Sequence, residues 1–143
     1  MAWFDYPLDT KTLFRKKNRI KRELLDKGSF LKKKVAVLGG STTNEVVQQL
    51  DIFLLHNGIS AEFYQSEYAQ YWQDAVFGTE ELDNFAPDII YIHTNWRNIE
   101  RFPSIADTKE QVASLLENEY NRFVQMWEKL TEKFHCPIIP NHL

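Results

Sequence analysis

The segment Lys34 to Asn44, KVAVLGGSTTN, constrains the fold of this chain more than any other. Val35, Ala36, Val37 and Leu38 form a short continuous apolar run rich in valine, the pattern of a strand buried on both faces. GGSTTN then breaks the run and opens a helix whose apolar residues Val46, Val47, Leu50, Phe53 and Leu54 follow the i, i+1, i+4, i+7, i+8 pattern of a buried face. A doubly buried strand feeding directly into an amphipathic helix is the first half of a βαβ unit, so the chain belongs to the α/β class.

The remaining segments extend that unit. Asn57 and Gly58 end the helix, and Ile59 to Tyr64 read as a second strand after a crossover. Gln65 to Gly78 has indistinct periodicity and reads as a loop over the sheet with one or two helical turns. Thr79, Glu80, Glu81 and Leu82 begin a short helix, and after Pro87 the run Ile89, Ile90, Tyr91, Ile92 gives a third buried strand. The polar segment TNWRN leaves the sheet, and Ile99 to Ala106 forms a loop. Asp107 and Glu110 have the spacing of a capping box before a long helix to Phe134. That helix places Val112, Leu115, Leu116, Tyr120, Phe123, Trp127 and Leu130 on one stripe, read as core rather than a ligand box. Pro137 to Pro140 is a fourth strand reaching Asn141, His142 and Leu143. The expected architecture is a three-layer α/β/α sandwich with a parallel sheet, flavodoxin-like or SGNH hydrolase-like. Doubly wound domains commonly add another helix and strand, so a truncated fold or an N-terminal module of a longer protein is expected.

At 143 residues and 43% hydrophobic content the chain suffices for one domain with a real core. Its single cysteine, Cys136, allows no internal disulfide or cysteine-based zinc cluster and reads as a small apolar filler. The absence of a charge-free run of membrane-spanning length and of a signal peptide predicts a cytoplasmic protein with no membrane partner. The net charge of -3 conceals an asymmetry: Met1 to Lys34 holds 11 basic and 4 acidic residues (+7), and the remainder 6 and 16 (-10). Within the basic segment Leu13, Phe14, Ile20, Leu24 and Leu25 share roughly one helical face, capped by Asp9 or Thr10. Packing of this helix on its own domain is the leading expectation; an anionic ligand or acidic protein comes second and nucleic acid last. The division expected is a basic N-terminal segment and packing helix over 1–31, with Trp3, Phe4 and Tyr6 against the domain, and an α/β domain over 32–143.

In open α/β sheets ligands bind beyond the carboxyl ends of the strands. Those ends carry Gly39 to Asn44, Ser66 and Glu67, His93 to Asn98, and Asn141 and His142. Gly39 and Gly40 let backbone approach a ligand closely. Ser41, Thr42 and Thr43 sit where a helix begins, suited to capping, to an anion or polarised carbonyl, or to a serine nucleophile. Asn95 and Asn98 offer amide donors and Arg97 a fork for carboxylate or phosphate. His93 serves as a base only if its ring reaches Ser41; otherwise it anchors the loop. Neither GxGxxG, GK[ST] nor G-x-S-x-G is present, and no histidine pair has metal-ligand spacing.

LKKKVAVLGGSTT, FYQSEYAQYWQDAVFG, ELDNFAPDIIYIHTNWRN and PIIPN, spread from about Lys32 to Asn141, resemble the N-terminal SGNH-like domain of FkbH-like proteins. The resemblance implies a phosphatase-like domain of the haloacid dehalogenase type downstream, holding the magnesium, and a biosynthetic enzyme that transfers a glyceryl or acyl unit to an acyl carrier protein. It implies no cofactor in this chain. It matches Ser41 to the nucleophile position, with Gly40 in place of the usual aspartate, and Asn95 to the oxyanion asparagine. The late Asp-x-x-His block that supplies acid and base has no counterpart here. The resemblance therefore implies an auxiliary module binding an acyl or phosphorylated substrate, or a carrier, over Ser41, Thr42, Asn95 and Arg97. The alternatives are a serine esterase or acyltransferase using Ser41, and a non-catalytic interaction domain.

Overall fold

The computed structural model describes residues 2–141. It is a four-stranded, all-parallel sheet in the order β2-β1-β3-β4, with helices on both faces: a three-layer α/β/α sandwich. The strands are β1 (Leu31–Gly39), β2 (Ile59–Gln65), β3 (Ile89–His93) and β4 (Ile138–Pro140). The helices are α1 (Thr10–Leu25), α2 (Asn44–His56), α3 (Tyr71–Val76), α4 (Glu80–Phe85) and α5 (Lys109–Phe134). β1 begins earlier than its apolar run, because Leu31 to Lys34 pair with Ile59 to Glu62.

Alternation along β1 divides the core. Ala36 and Leu38 join Ile90, Ile92, Phe123, Met126 and Leu130 on the α5 side. Val35 and Val37 meet Val47 of α2 on the other. α2 is buried twice, since Ile52 and Leu55 turn away from the sheet and pack on Leu13, Ile20 and Leu24 of α1. Its most buried residues are therefore Val47, Ile52 and Leu55, not the full set Val46, Val47, Leu50, Phe53 and Leu54, because two partners divide the helix surface.

α1 is a packing helix, capped by the Asp9 carboxylate, which accepts from the Thr12 amide at 3.0 Å. Trp3 and Phe4 pack on it and on α2, while Tyr6 is exposed. Phe14 and Leu25 are 39% and 43% exposed, so the apolar face is narrower than the five residues assigned to it. At α5 the cap is Thr108 with Gln111, one residue beyond the Asp107–Glu110 pair; Asp107 instead accepts from the Ser104 amide. The expected stripe of α5 also divides. Phe123 and Leu130 are buried together with Met126, whereas Leu116 and Tyr120 are 67% and 63% exposed. With Ile92, Ile99, Trp127 and Pro140 they line an open groove of about 350 Å3.

β4 forms one edge of the described sheet and β2 the other. The Pro137 carbonyl accepts from Ile90 and the Asn141 amide donates to Ile92, so the backbone groups of Ile138 and Pro140 face away from the sheet. No described helix is long and apolar enough to cross a membrane.

Candidate functional site

The order β2-β1-β3-β4 makes the β1–β3 boundary a topological switch point: the chain leaves β1 toward β2 on one side and β3 toward β4 on the other. The loops after these two strands bound a crevice, and three hydrogen-bond links connect all four strand ends. The Gly39 amide donates to Ser66 Oγ at 2.8 Å. Asn98 Nδ2 donates to the Gly40 carbonyl at 3.0 Å. Asn141 brackets Thr94, accepting from its amide and donating to its carbonyl, both at 2.8 Å. His142 lies outside the described residues.

The glycines of the first loop are needed for packing. A Cβ at Gly40 would overlap the Asn98 carboxamide, and one at Gly39 would come 2.9 Å from the Ser41 carbonyl. The second loop folds into a single 3-10 turn, Trp96–Asn98, closed by a reciprocal pair. Asn95 Oδ1 accepts from the Arg97 amide at 2.9 Å, and Asn98 Oδ1 accepts from the Asn95 amide at 2.8 Å. Asn98 therefore commits its Oδ1 and one Nδ2 hydrogen to structure. Asn95 Nδ2 retains its donors, with no acceptor among the described residues.

Ser41 is half-buried and Thr42 exposed at the start of α2. Thr43 occupies the cap position but does not cap with its side chain; buried, it donates from Oγ1 to Gln65 Oε1 at 3.2 Å. The first amides of α2 thus lack a side-chain cap, which leaves the positive end of the helix turned toward the crevice. Arg97 is exposed, its guanidinium 5.3 Å from the Trp96 ring centre, and pairs with no carboxylate among the described residues.

His93 is half-buried, and its Nδ1 shares a 2.9 Å hydrogen bond with the Tyr91 hydroxyl. Burial raises the Tyr91 phenol above its ordinary value. No hydrogen bond joins His93 to Ser41 among the described residues, so the geometry holds no assembled serine–histidine pair. The uncapped α2 amides, Asn95 Nδ2 and Arg97 are donors of the kind that suit an anion or polarised carbonyl, and no base is aligned on the serine among the described residues.

Arg122 was not among the residues marked by sequence. Its side chain is only 12% exposed; Nη2 donates to the Asn98 carbonyl at 2.7 Å and to Glu119 Oε1 at 2.6 Å. Trp72 and Phe123 rings lie against its guanidinium, each at 4.9 Å. The arginine thus fixes the second loop from α5. A buried-facing arginine interrupting the apolar stripe of α5 is the one sequence signal that could have found it.

No family model and no curated protein matches this chain. A solved structure does: the N-terminal part of the protein BF1531 from Bacteroides fragilis, containing a phosphatase domain complexed with Mg. It is 20% identical, with a TM-score of 0.67, over 89% of this chain and 32% of that one. The two share the fold, and this chain spans about a third of the length of that structure.

Proposed function

We propose that this chain is a substrate- or carrier-binding N-terminal module of an FkbH-like multidomain biosynthetic enzyme. Its SGNH-like crevice holds an acyl or phosphorylated group over Ser41, Thr42, Asn95 and Arg97. The observation that carries this reading is the Asn98–Gly40 hydrogen bond, which sets the loop bearing Asn95, with its free donors, and the unpaired Arg97 beside the loop that opens α2 without a side-chain cap. All three favour an anionic or carbonyl oxygen, and none supplies a base. The fold shared with a protein that contains a magnesium-bound phosphatase domain supports a module of a larger enzyme. Magnesium chemistry is assigned to such a downstream domain; no acid or histidine cluster suited to a metal occurs among the described residues of this chain.

In the intact enzyme, Ser41→Ala and Asn95→Ala are expected to weaken substrate or carrier binding while chemistry in the downstream domain persists, seen as a raised KM with kcat largely retained. Unchanged KM and carrier affinity in both variants would overturn the reading. A second reading, a serine esterase or acyltransferase, draws on the half-buried Ser41 hydroxyl, which has no hydrogen-bond partner among the described residues. A serine-directed phosphonate separates the two: an adduct on Ser41 favours the enzyme, and its absence in folded protein favours binding.

A further inference from the structure

The basic segment is absorbed only in part by packing. Leu13, Ile20 and Leu24 bury one side of α1, and the Asp9 cap and the Trp3 indole, which donates to Glu23 at 3.1 Å, fix the helix in place. The opposite side faces solvent. Lys11, Arg15, Asn18 and Arg22 recur there at i, i+4, i+7 and i+11, a straight exposed ridge about 16 Å long at 1.5 Å per residue. Elsewhere on α1, Arg19 pairs with Glu23 at 2.8 Å and Lys21 with Asp51 at 2.5 Å, while Lys16 and Lys17 lie over the Trp3 and Phe14 rings. Lys11, Arg15 and Arg22 have no carboxylate within 4.0 Å among the described residues. Exposed Phe14 and Leu25 lie along one flank of the ridge.

We propose that this ridge is a docking surface for an acidic helix of a partner protein, with carboxylates facing Lys11, Arg15 and Arg22 and an apolar side chain against Phe14 or Leu25. Three features favour a protein over other polyanions. The apolar flank gives burial that a phosphate backbone does not use, and arginine beside aromatic surface is the composition of protein interfaces. The rest of the chain carries -10, which opposes a long nucleic acid lying across the molecule. The apolar face that a membrane-surface helix would insert is already buried on α2. The proposal uses residues that take no part in the crevice, so either stands if the other fails.

The test uses the full chain and two synthetic helices: one with glutamates at i, i+4, i+7 and i+11 beside leucines, the other of equal composition with the glutamates scattered. The patterned helix is expected to bind more tightly, more weakly at high salt, and at least about tenfold more weakly to Lys11→Glu/Arg15→Glu/Arg22→Glu. That variant changes only exposed side chains, and an unchanged Tm verifies its fold. Equal binding of the two helices, or equal binding to the variant, overturns the proposal and leaves a solvated charged face. Tighter binding of a short DNA duplex or of phosphatidylserine vesicles than of the patterned helix, at matched salt, also overturns it.

Discussion

Gly40 has no side chain at the place where the Asn98 carboxamide lies, and that carboxamide holds the Gly40 carbonyl and the Asn95 amide at once. Asn98→Ala removes both bonds from a half-buried position and is expected to destabilise by about 1–3 kcal/mol. Gly40→Ala forces the carboxamide aside and should cost a similar amount, about 1–3 kcal/mol. In the Asn98→Ala background the Gly40→Ala penalty should shrink, giving a coupling of about 0.5–3 kcal/mol in a double-mutant cycle of urea unfolding. The glycine pair was legible in sequence as a place of close backbone approach, but the neighbour that approaches was not: it is 58 residues away. Thr43 failed as a side-chain cap for the same reason. Gln65, at the end of β2, takes its hydroxyl, and spacing within GGSTTN carries no trace of a partner on another strand.

α5 shows what periodicity conveys and what it omits. Its 26 residues span about 39 Å, whereas β3 and β4 beneath it have five and three residues, so its first turns run past the sheet. The apolar stripe was plain in sequence, yet a stripe is buried only where something faces it. Met126, over the sheet, is fully buried; Tyr120, past its end, is mostly exposed. Met126→Ala is expected to destabilise by about 2–5 kcal/mol, and Tyr120→Ser by no more than about 0.5 kcal/mol, measured as urea midpoints with unchanged slope. α2 errs in the other direction. Its sequence predicts one buried face, but α1 supplies a second partner and draws in Ile52 and Leu55. The basic charge of α1 did not betray that contact; its thin apolar face did.

For the molecule as a whole, class, strand number and parallel sense followed from short apolar runs separated by helices, because a parallel sheet must be covered on both sides. Its pH response has a less visible source. Burial holds the Asp74 carboxyl above its ordinary 3.8 despite the Tyr64 hydroxyl donating to it at 2.9 Å, and the nearby charges of Glu67 and Glu81 raise it further. Burial likewise pushes the Tyr64 phenol up to about 12. The folded state binds the Asp74 proton more tightly than the unfolded chain, so this contribution to stability is complete below 3.8 and is lost as pH rises through the folded value. Asp74→Asn keeps an acceptor for Tyr64 and cannot ionise. It is expected to be more stable than the parent near neutral pH and to flatten the decline above about pH 4. Unfolding midpoints across that range check it; a parallel decline in both proteins refutes it.

The outer side of β4 offers the backbone groups of Ile138 and Pro140, and position 140 has no amide hydrogen to give. A strand arriving there can take one amide, from Ile138, and must leave an acceptor unmet two residues on. Two copies meeting β4 to β4 would each bring that same defect, so this side of the sheet accepts a newcomer only in a register that asks nothing of the proline.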